Sequence, residues 1–170
     1  PTIWMIHEGN YGQAMTEANA AIQQAMEDAD TVVFASRDTE SKYNKFAKKQ
    51  NYAMVHYGSP ISKNNISTVK LSPRNKMRVM QVGSIESRKG QDITIKAVQS
   101  LPPDLQDAFE FYFVGRKHDV NYYNELVEKT ADLKNVHWVG EVSPNEALGY
   151  ISESDVIVCA SRDESLPVFI

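Results

Sequence analysis

The feature that most constrains this chain is a regular alternation, over residues 77–160, of short apolar runs with amphipathic stretches. The runs at 77–82, 109–114, 136–139 and 156–160 are too short for helices, and each is followed by Gly83, Gly115, Gly140 or Ser161. Such runs predict buried strands. Between them, 90–101, 121–133 and 144–152 predict helices. The last of these opens with Ser143, Pro144 and Glu146, an N-cap, a first-turn proline and a third-position acid that together make a capping box. Strands alternating with helices of this length demand a parallel sheet with right-handed crossovers. The fold class is therefore α/β, Rossmann-like, with helices flanking the sheet.

A shorter copy of the pattern lies upstream. Residues 1–8, 31–35 and 52–57 read as strands. Met15, Ala18, Ile22, Ala25, Met26 and Ala29 form one apolar stripe on a helix over 11–28. Asp38 or Thr39 can cap a second helix running to about residue 49. From 59 to 75 the periodicity is lost and Ser, Asn and Pro accumulate, which marks a linker. The expected organisation is a first domain over 1–58, a linker over 59–75 and a second domain over 76–170.

At 42% hydrophobic and 24% charged residues, the chain is neither a disordered, a collagenous nor a disulfide scaffold. Its single cysteine, Cys159, forms no internal bridge, which is compatible with a reducing compartment. No apolar run approaches the roughly 18 residues of a membrane span, and no signal-peptide pattern opens the sequence. A cytoplasmic protein is expected, soluble or peripheral on the inner face of the membrane. The net charge of −4 conceals a lopsided distribution. Residues 41–90 hold eleven Lys/Arg against one acid, Glu86, which predicts an anionic ligand or surface near the middle of the chain. Lys42, Lys45, Lys48 and Lys49 share one side of the second helix, either as a solvated face or as a contact for a membrane surface or lipid-linked acceptor. Acidic flanks and the lack of an aromatic stacking platform argue against nucleic acid. His7, His56, His118 and His137 are scattered and form no ligand-spaced cluster with Cys159, so no metal is expected.

In a doubly wound sheet, ligands bind beyond the carboxyl ends of the strands. The 82–90 segment, Val-Gly-Ser-Ile-Glu-Ser-Arg-Lys-Gly, joins a strand to a helix there. Helix-start N–H groups beside Lys89 would stabilise a diphosphate. The spacing is neither that of a Walker loop nor that of Gly-x-Gly-x-x-Gly, and a loop of this kind taken alone is more often a solvated turn. After the last strand comes Ser-Arg-Asp-Glu-Ser-Leu-Pro at 161–167. Glu164 could accept hydrogen bonds from sugar hydroxyls, and the amides of Ser165 and Leu166 could open a helix aimed at phosphate; an acidic loop in water explains it equally well.

Four stretches in order, Val-Gly-Ser-Ile-Glu-Ser-Arg-Lys-Gly-Gln-Asp, Phe-Tyr-Phe-Val-Gly, Asn-Val-His-Trp-Val-Gly-Glu-Val and Ser-Asp-Val-Ile-Val-Cys-Ala-Ser-Arg-Asp-Glu-Ser-Leu-Pro, resemble the donor-binding domain of group 1 (family 4) glycosyltransferases. Upstream, Trp-Met-Ile-His-Glu and Ala-Asp-Thr-Val-Val-Phe-Ala-Ser resemble the end of the acceptor-side domain of the same enzymes. The resemblance implies the GT-B fold of two Rossmann-like domains, here two partial ones with an incomplete donor-binding domain. It implies a retaining transfer of a sugar from a nucleotide-diphosphate sugar to an acceptor such as a saccharide or lipid-linked glycan, with no metal or other cofactor. Lys89 matches the lysine that neutralises the donor diphosphate, in a loop with Gly83 and Ser84. Ser84 stands where many members carry arginine, so Arg88 or Arg116 is the candidate replacement cation. The backbone at Glu141 and Val142 matches the base-binding segment. Glu164 matches the first carboxylate of a Glu-x7-Glu motif that contacts the donor sugar, with Ser165 and Leu166 after it at the phosphate. His7 matches a cleft histidine near the transferring sugar, although a capped histidine at a strand end is an equal reading.

The second glutamate of that motif would fall at position 172, beyond Ile170. An internal fragment is therefore expected, inactive alone and prone to self-association or domain exchange through uncovered strand edges. The rival functions are a non-catalytic nucleotide-binding module and a nucleotide-sugar epimerase on the same fold.

Overall fold

The computed structural model describes residues 1–47, 52–56, 58, 66–71 and 73–166. The chain divides into two compact units, Pro1–Pro60 with Asp163–Ile170, and Ile61–Arg162.

The first unit carries a parallel sheet of β1 (Ile3–Ile6), β2 (Thr31–Phe34) and β3 (Tyr52–Met54) in that order. Ile3 faces Thr31 and Val32 faces Tyr52 in the register. Ile6, Met26, Ala29, Val32, Phe34, Tyr43 and Ala47 form its buried core. The single helix expected over 11–28 is two helices, α1 (Asn10–Ala18) and α2 (Ala20–Asp28). The cause is Asn19, whose backbone is extended and whose side-chain oxygen accepts from the amides of Ala21 at 3.0 Å and Ile22 at 3.3 Å. An Asn that bonds the following amides starts a helix rather than continuing one. The cap of α3 (Arg37–Tyr43) is likewise corrected: it is Ser36, which accepts from Thr39 N–H at 3.2 Å, and not Asp38 or Thr39. The helix ends at Tyr43 and passes into a 3₁₀ turn, Asn44–Phe46. Of its expected extension to residue 49, Asn44–Phe46 is this turn rather than α-helix and Ala47 has left the helix, while Lys48 and Lys49 lie outside the described residues.

The second unit is a four-stranded parallel sheet of β4 (Met77–Val82), β5 (Phe109–Val114), β6 (Val136–Gly140) and β7 (Val156–Ile157), in the spatial order β6-β5-β4-β7. The connections are α4 (Gln91–Gln99), a short α5 (Pro103–Gln106) that the sequence reading did not anticipate, α6 (Val120–Lys129) and α7 (Pro144–Ser152). The central strands β4 and β5 are buried along most of their length, as strands covered on both faces must be. Val79, Phe111 and Phe113 pack with Ile95, Val98 and Leu126 of α4 and α6. Met80, Tyr112 and Val114 pack with Val142, Tyr150 and Leu71. The capping box opens α7 as expected. β7 is shorter than expected: Val158 N–H still reaches Met80 O at 2.8 Å, after which the chain leaves the ladder. Of the 59–75 segment, only 66–71, 73, 74 and 75 are described; Ser67 N–H bonds Asn145 O at 3.1 Å and Leu71 joins the second core.

The strand order fixes where a ligand can enter the second unit. From β4 the chain moves to β5 and β6 on one side, then crosses back to place β7 on the other. The crevice of such a sheet lies at the carboxyl ends of the two strands flanking the reversal, here β4 and β7.

Candidate functional site

The loop leaving β4 is held from beneath by buried amides. Gln81 Nε2 donates to Lys89 O at 2.7 Å, while Gln81 Oε1 accepts from Thr94 Oγ1 at 2.7 Å. Gln91 Nε2 donates to Ser84 O at 2.8 Å. Gln81, Gln91 and Thr94 are all buried. An unsatisfied polar group there would cost about 1–3 kcal/mol, so these bonds fix the loop's carbonyls inward. Above them Ser87–Lys89 forms a 3₁₀ turn, and Gly90 takes the left-handed conformation, φ 69°, that redirects the chain into α4. α4 starts without a side-chain cap. The aliphatic stem of Lys89 passes 3.8 Å from where a β-carbon on Gly83 would stand, which lays the lysine back over the strand exit. The geometry thus brings Gly83, Ser84, Lys89 and the start of α4 together.

The candidate cations behave differently from one another. Ser84 Oγ donates to Glu86 Oε1 at 2.6 Å, and Arg88 Nη2 donates to the same oxygen at 3.1 Å. Burial pushes the Glu86 carboxyl up, but the Ser84 hydroxyl and Arg88 outweigh it and hold the group below its ordinary value. Arg88 is therefore engaged with Glu86. The Arg116 side chain is exposed, and its carbonyl accepts from Ile85 N–H at 2.8 Å. Glu141 is exposed just past β6, and the Val142 side chain belongs to the core, leaving backbone as that segment's contribution to any site.

The remaining candidates lie in the first unit. His7 and Glu8 stand exposed past β1 and line a cavity of about 180 Å³ with Trp4, Gly12, Met15 and Tyr43. Tyr43 donates to Gly9 O at 3.0 Å, and burial, with Glu8 and Asp163 nearby, pushes its hydroxyl up to about 12. Asp163, which the sequence reading passed over, accepts from Asn10 N–H with both carboxylate oxygens at 3.0 Å. It thereby supplies the first turn of α1 with a negative charge that the helix itself lacks. Lys42 Nζ lies 2.6 Å from Asp38 and 3.8 Å from Asp163, and Lys45 Nζ lies 2.5 Å from Glu17. The two described lysines of the basic face, Lys42 and Lys45, are thus ion-paired. Glu164 is half-buried, and Ser165 O accepts from Ser36 Oγ at 2.7 Å. The helix expected to open at Ser165 and Leu166 would run into 167–170, outside the described residues. No helix among the described residues is long and apolar enough to cross a membrane.

A parallel α/β sheet whose strand order reverses beside a glycine-bearing loop is the arrangement of Rossmann-like domains. The family model for glycosyl transferases group 1 matches residues 62–170, and the chain belongs to that family. It is 24% identical over 138 residues to an uncharacterized glycosyltransferase of Methanocaldococcus jannaschii, a match covering 78% of this chain and 35% of the relative. Among solved structures it is similar to Anabaena HepE in complex with UDP and glucose, with a TM-score of 0.73 and 18% identity over 95% of this chain and 46% of that one. It is also similar to sucrose-phosphate synthase from Thermosynechococcus elongatus, with a TM-score of 0.76 and 17% identity over 98% and 46%. The chain thus spans about a third of the curated relative and just under half of each structure. The chain shares the fold of these structures, with parallel sheets flanked by helices.

Proposed function

We propose that this chain binds a nucleotide-diphosphate sugar and that the protein transfers the sugar, with retention of configuration, to a saccharide or lipid-linked acceptor. The observation that carries the reading is the loop at the switch point, where buried Gln81 and Gln91 fix the backbone and Lys89 lies over Gly83 at the start of α4. Lys89 and the first amides of α4 offer positive charge to a departing diphosphate, the form of electrostatic stabilisation this transfer needs. No metal ion enters this scheme. That the similar Anabaena structure holds UDP and glucose supports the donor class. In this reading Glu164 contacts the donor sugar, Ser165 and Leu166 lie at the phosphate, the backbone at Glu141 and Val142 meets the base, and His7 stands by the transferring sugar. A cytoplasmic setting fits the exposed, unbridged Cys159.

The test uses the protein at its natural length. Calorimetric titration with UDP and other nucleoside diphosphates should show Lys89→Ala weakening the preferred nucleotide by about tenfold or more, the loss of one charge-assisted contact. Unchanged affinity removes the phosphate assignment. Radiolabelled donor then separates the rivals: label appearing in the acceptor supports transfer, label staying on an epimerised nucleotide shows an epimerase, and binding without turnover shows a nucleotide-binding module.

A further inference from the structure

The phosphate loop is also gripped from outside, by a residue with no part in the assignments above. Arg162, just past β7 in sequence, places its guanidinium on both carboxylate oxygens of Asp92 at 2.8 and 2.7 Å. Its Nη1 also donates to Ser87 O at 2.5 Å, and its backbone N–H donates to Arg88 O at 2.8 Å. These bonds bracket Lys89 on both sides in sequence. The Tyr122 hydroxyl adds a bond to Asp92 Oδ1 at 2.7 Å. Lys96 Nζ stands farther off at 3.8 Å, on a mostly exposed side chain.

Asp92 occupies the first turn of α4, which is favourable for an isolated helix. Next to a bound diphosphate it is a liability, since a bare carboxylate there opposes the anion that Lys89 and the helix start attract. Arg162 removes that conflict: its bidentate contact is the strongest geometry available for cancelling a carboxylate. It also keeps two carbonyl dipoles, those of Ser87 and Arg88, directed at itself.

Building on the donor reading of the 83–90 loop, we propose that Arg162 is a positioning residue for the donor diphosphate, neutralising Asp92 at the start of α4 and holding the Ser87 and Arg88 carbonyls just before Lys89. It acts through Asp92 and the loop and touches no substrate atom in this scheme.

The experiment titrates UDP and inorganic pyrophosphate into the full-length protein and its variants by calorimetry, with circular dichroism and thermal unfolding to verify folding. Arg162→Ala should weaken both ligands by about tenfold. The double variant Arg162→Ala/Asp92→Asn should recover to within about threefold of the parent, because the uncancelled charge is gone. A purely structural brace predicts the opposite, since the double variant has lost more bonds. Arg162→Ala within twofold of the parent, or a double variant no better than the single, overturns the proposal. Should Arg162→Ala fail to fold, Arg162→Gln and Arg162→Gln/Asp92→Asn carry the same comparison: the single variant loses about tenfold, the double recovers to within about threefold of the parent, and a double no better than the single overturns the idea. Lys89→Ala run in parallel keeps the two levels apart. If Lys89→Ala weakens binding and Arg162→Ala does not, only this inference fails; if Lys89→Ala has no effect, the donor reading fails first.

Discussion

Replacing Gly90 by alanine tests whether the loop at the end of β4 is as constrained as its geometry demands. Gly90 has φ 69° and ψ 28°, a conformation that costs a residue with a β-carbon about 1–2 kcal/mol. The stiffer unfolded chain of the variant returns about 0.4–1 kcal/mol. The new β-carbon would also fall inside the contact radius of the Ala160 carbonyl oxygen and 2.8 Å from its carbonyl carbon. Backbone cannot rotate aside as a side chain can, so overpacking adds about 1–3 kcal/mol. The net expectation is a loss of about 1–5 kcal/mol, centred near 3. Gly140 provides the control: its φ is 89°, and a β-carbon there would meet no heavy atom within 4 Å, so Gly140→Ala carries backbone strain without the clash and should cost at most about 2 kcal/mol. Urea unfolding of the parent and both variants, read as midpoints at constant slope, isolates the clash as the difference between the two. Equal losses at Gly90 and Gly140 would refute the claimed close approach of the Gly90 turn to the chain after β7.

Two further outcomes follow from local geometry. Asn19→Ala removes the oxygen that starts α2 and should destabilise the first unit by about 1 kcal/mol, seen as a lower urea midpoint; a variant that gains stability would mean that α1 and α2 prefer to run as one helix. The Asp92 carboxyl is held well below its ordinary range, first by Arg162 and, against the opposing effect of burial, also by Tyr122. Because its folded value lies below its unfolded one, ionised Asp92 contributes stability above about pH 4 that is lost as pH falls from there toward the folded value. Asp92→Asn should therefore flatten the acid limb of stability against pH, and parallel curves for parent and variant would exclude this linkage.

The sequence made the second unit's framework legible because its signals are local. β4, β5 and α7 fall at their expected residues, since each is written in a contiguous apolar run or in the Ser143-Pro144-Glu146 start. The break at Asn19 was hidden because the apolar stripe of 11–28 continues across it, and a stripe reports which face is buried, not whether the axis is continuous. Gln81 carried a weak signal, a carboxamide inside the run Val-Met-Gln-Val of a strand buried on both faces. Gln91 offered less, since a polar residue at the start of a helix is ordinary. Arg162 with Asp92 joins residues 70 positions apart, and Asp163 with Asn10 residues 153 apart. No periodicity links such pairs, so the charge asymmetry could suggest an anion site without revealing which acids the nearby cations already serve.

The carboxylate of Asp163 on the amide of Asn10 also has a consequence for how the molecule comes into being. During synthesis at roughly 5–20 residues per second, the acid at the amino end of α1 belongs to a stretch made 153 residues after Asn10. Synthesis must pass through the whole of Ile61–Arg162 before it supplies the residue that meets the amino end of α1 in the other unit. For a time on the order of ten seconds, the earlier-made part waits on the later one, its helix start uncapped and its buried Tyr43 without the neighbouring Asp163. The amino end of α1 therefore gains its carboxylate only after the whole intervening unit has been made.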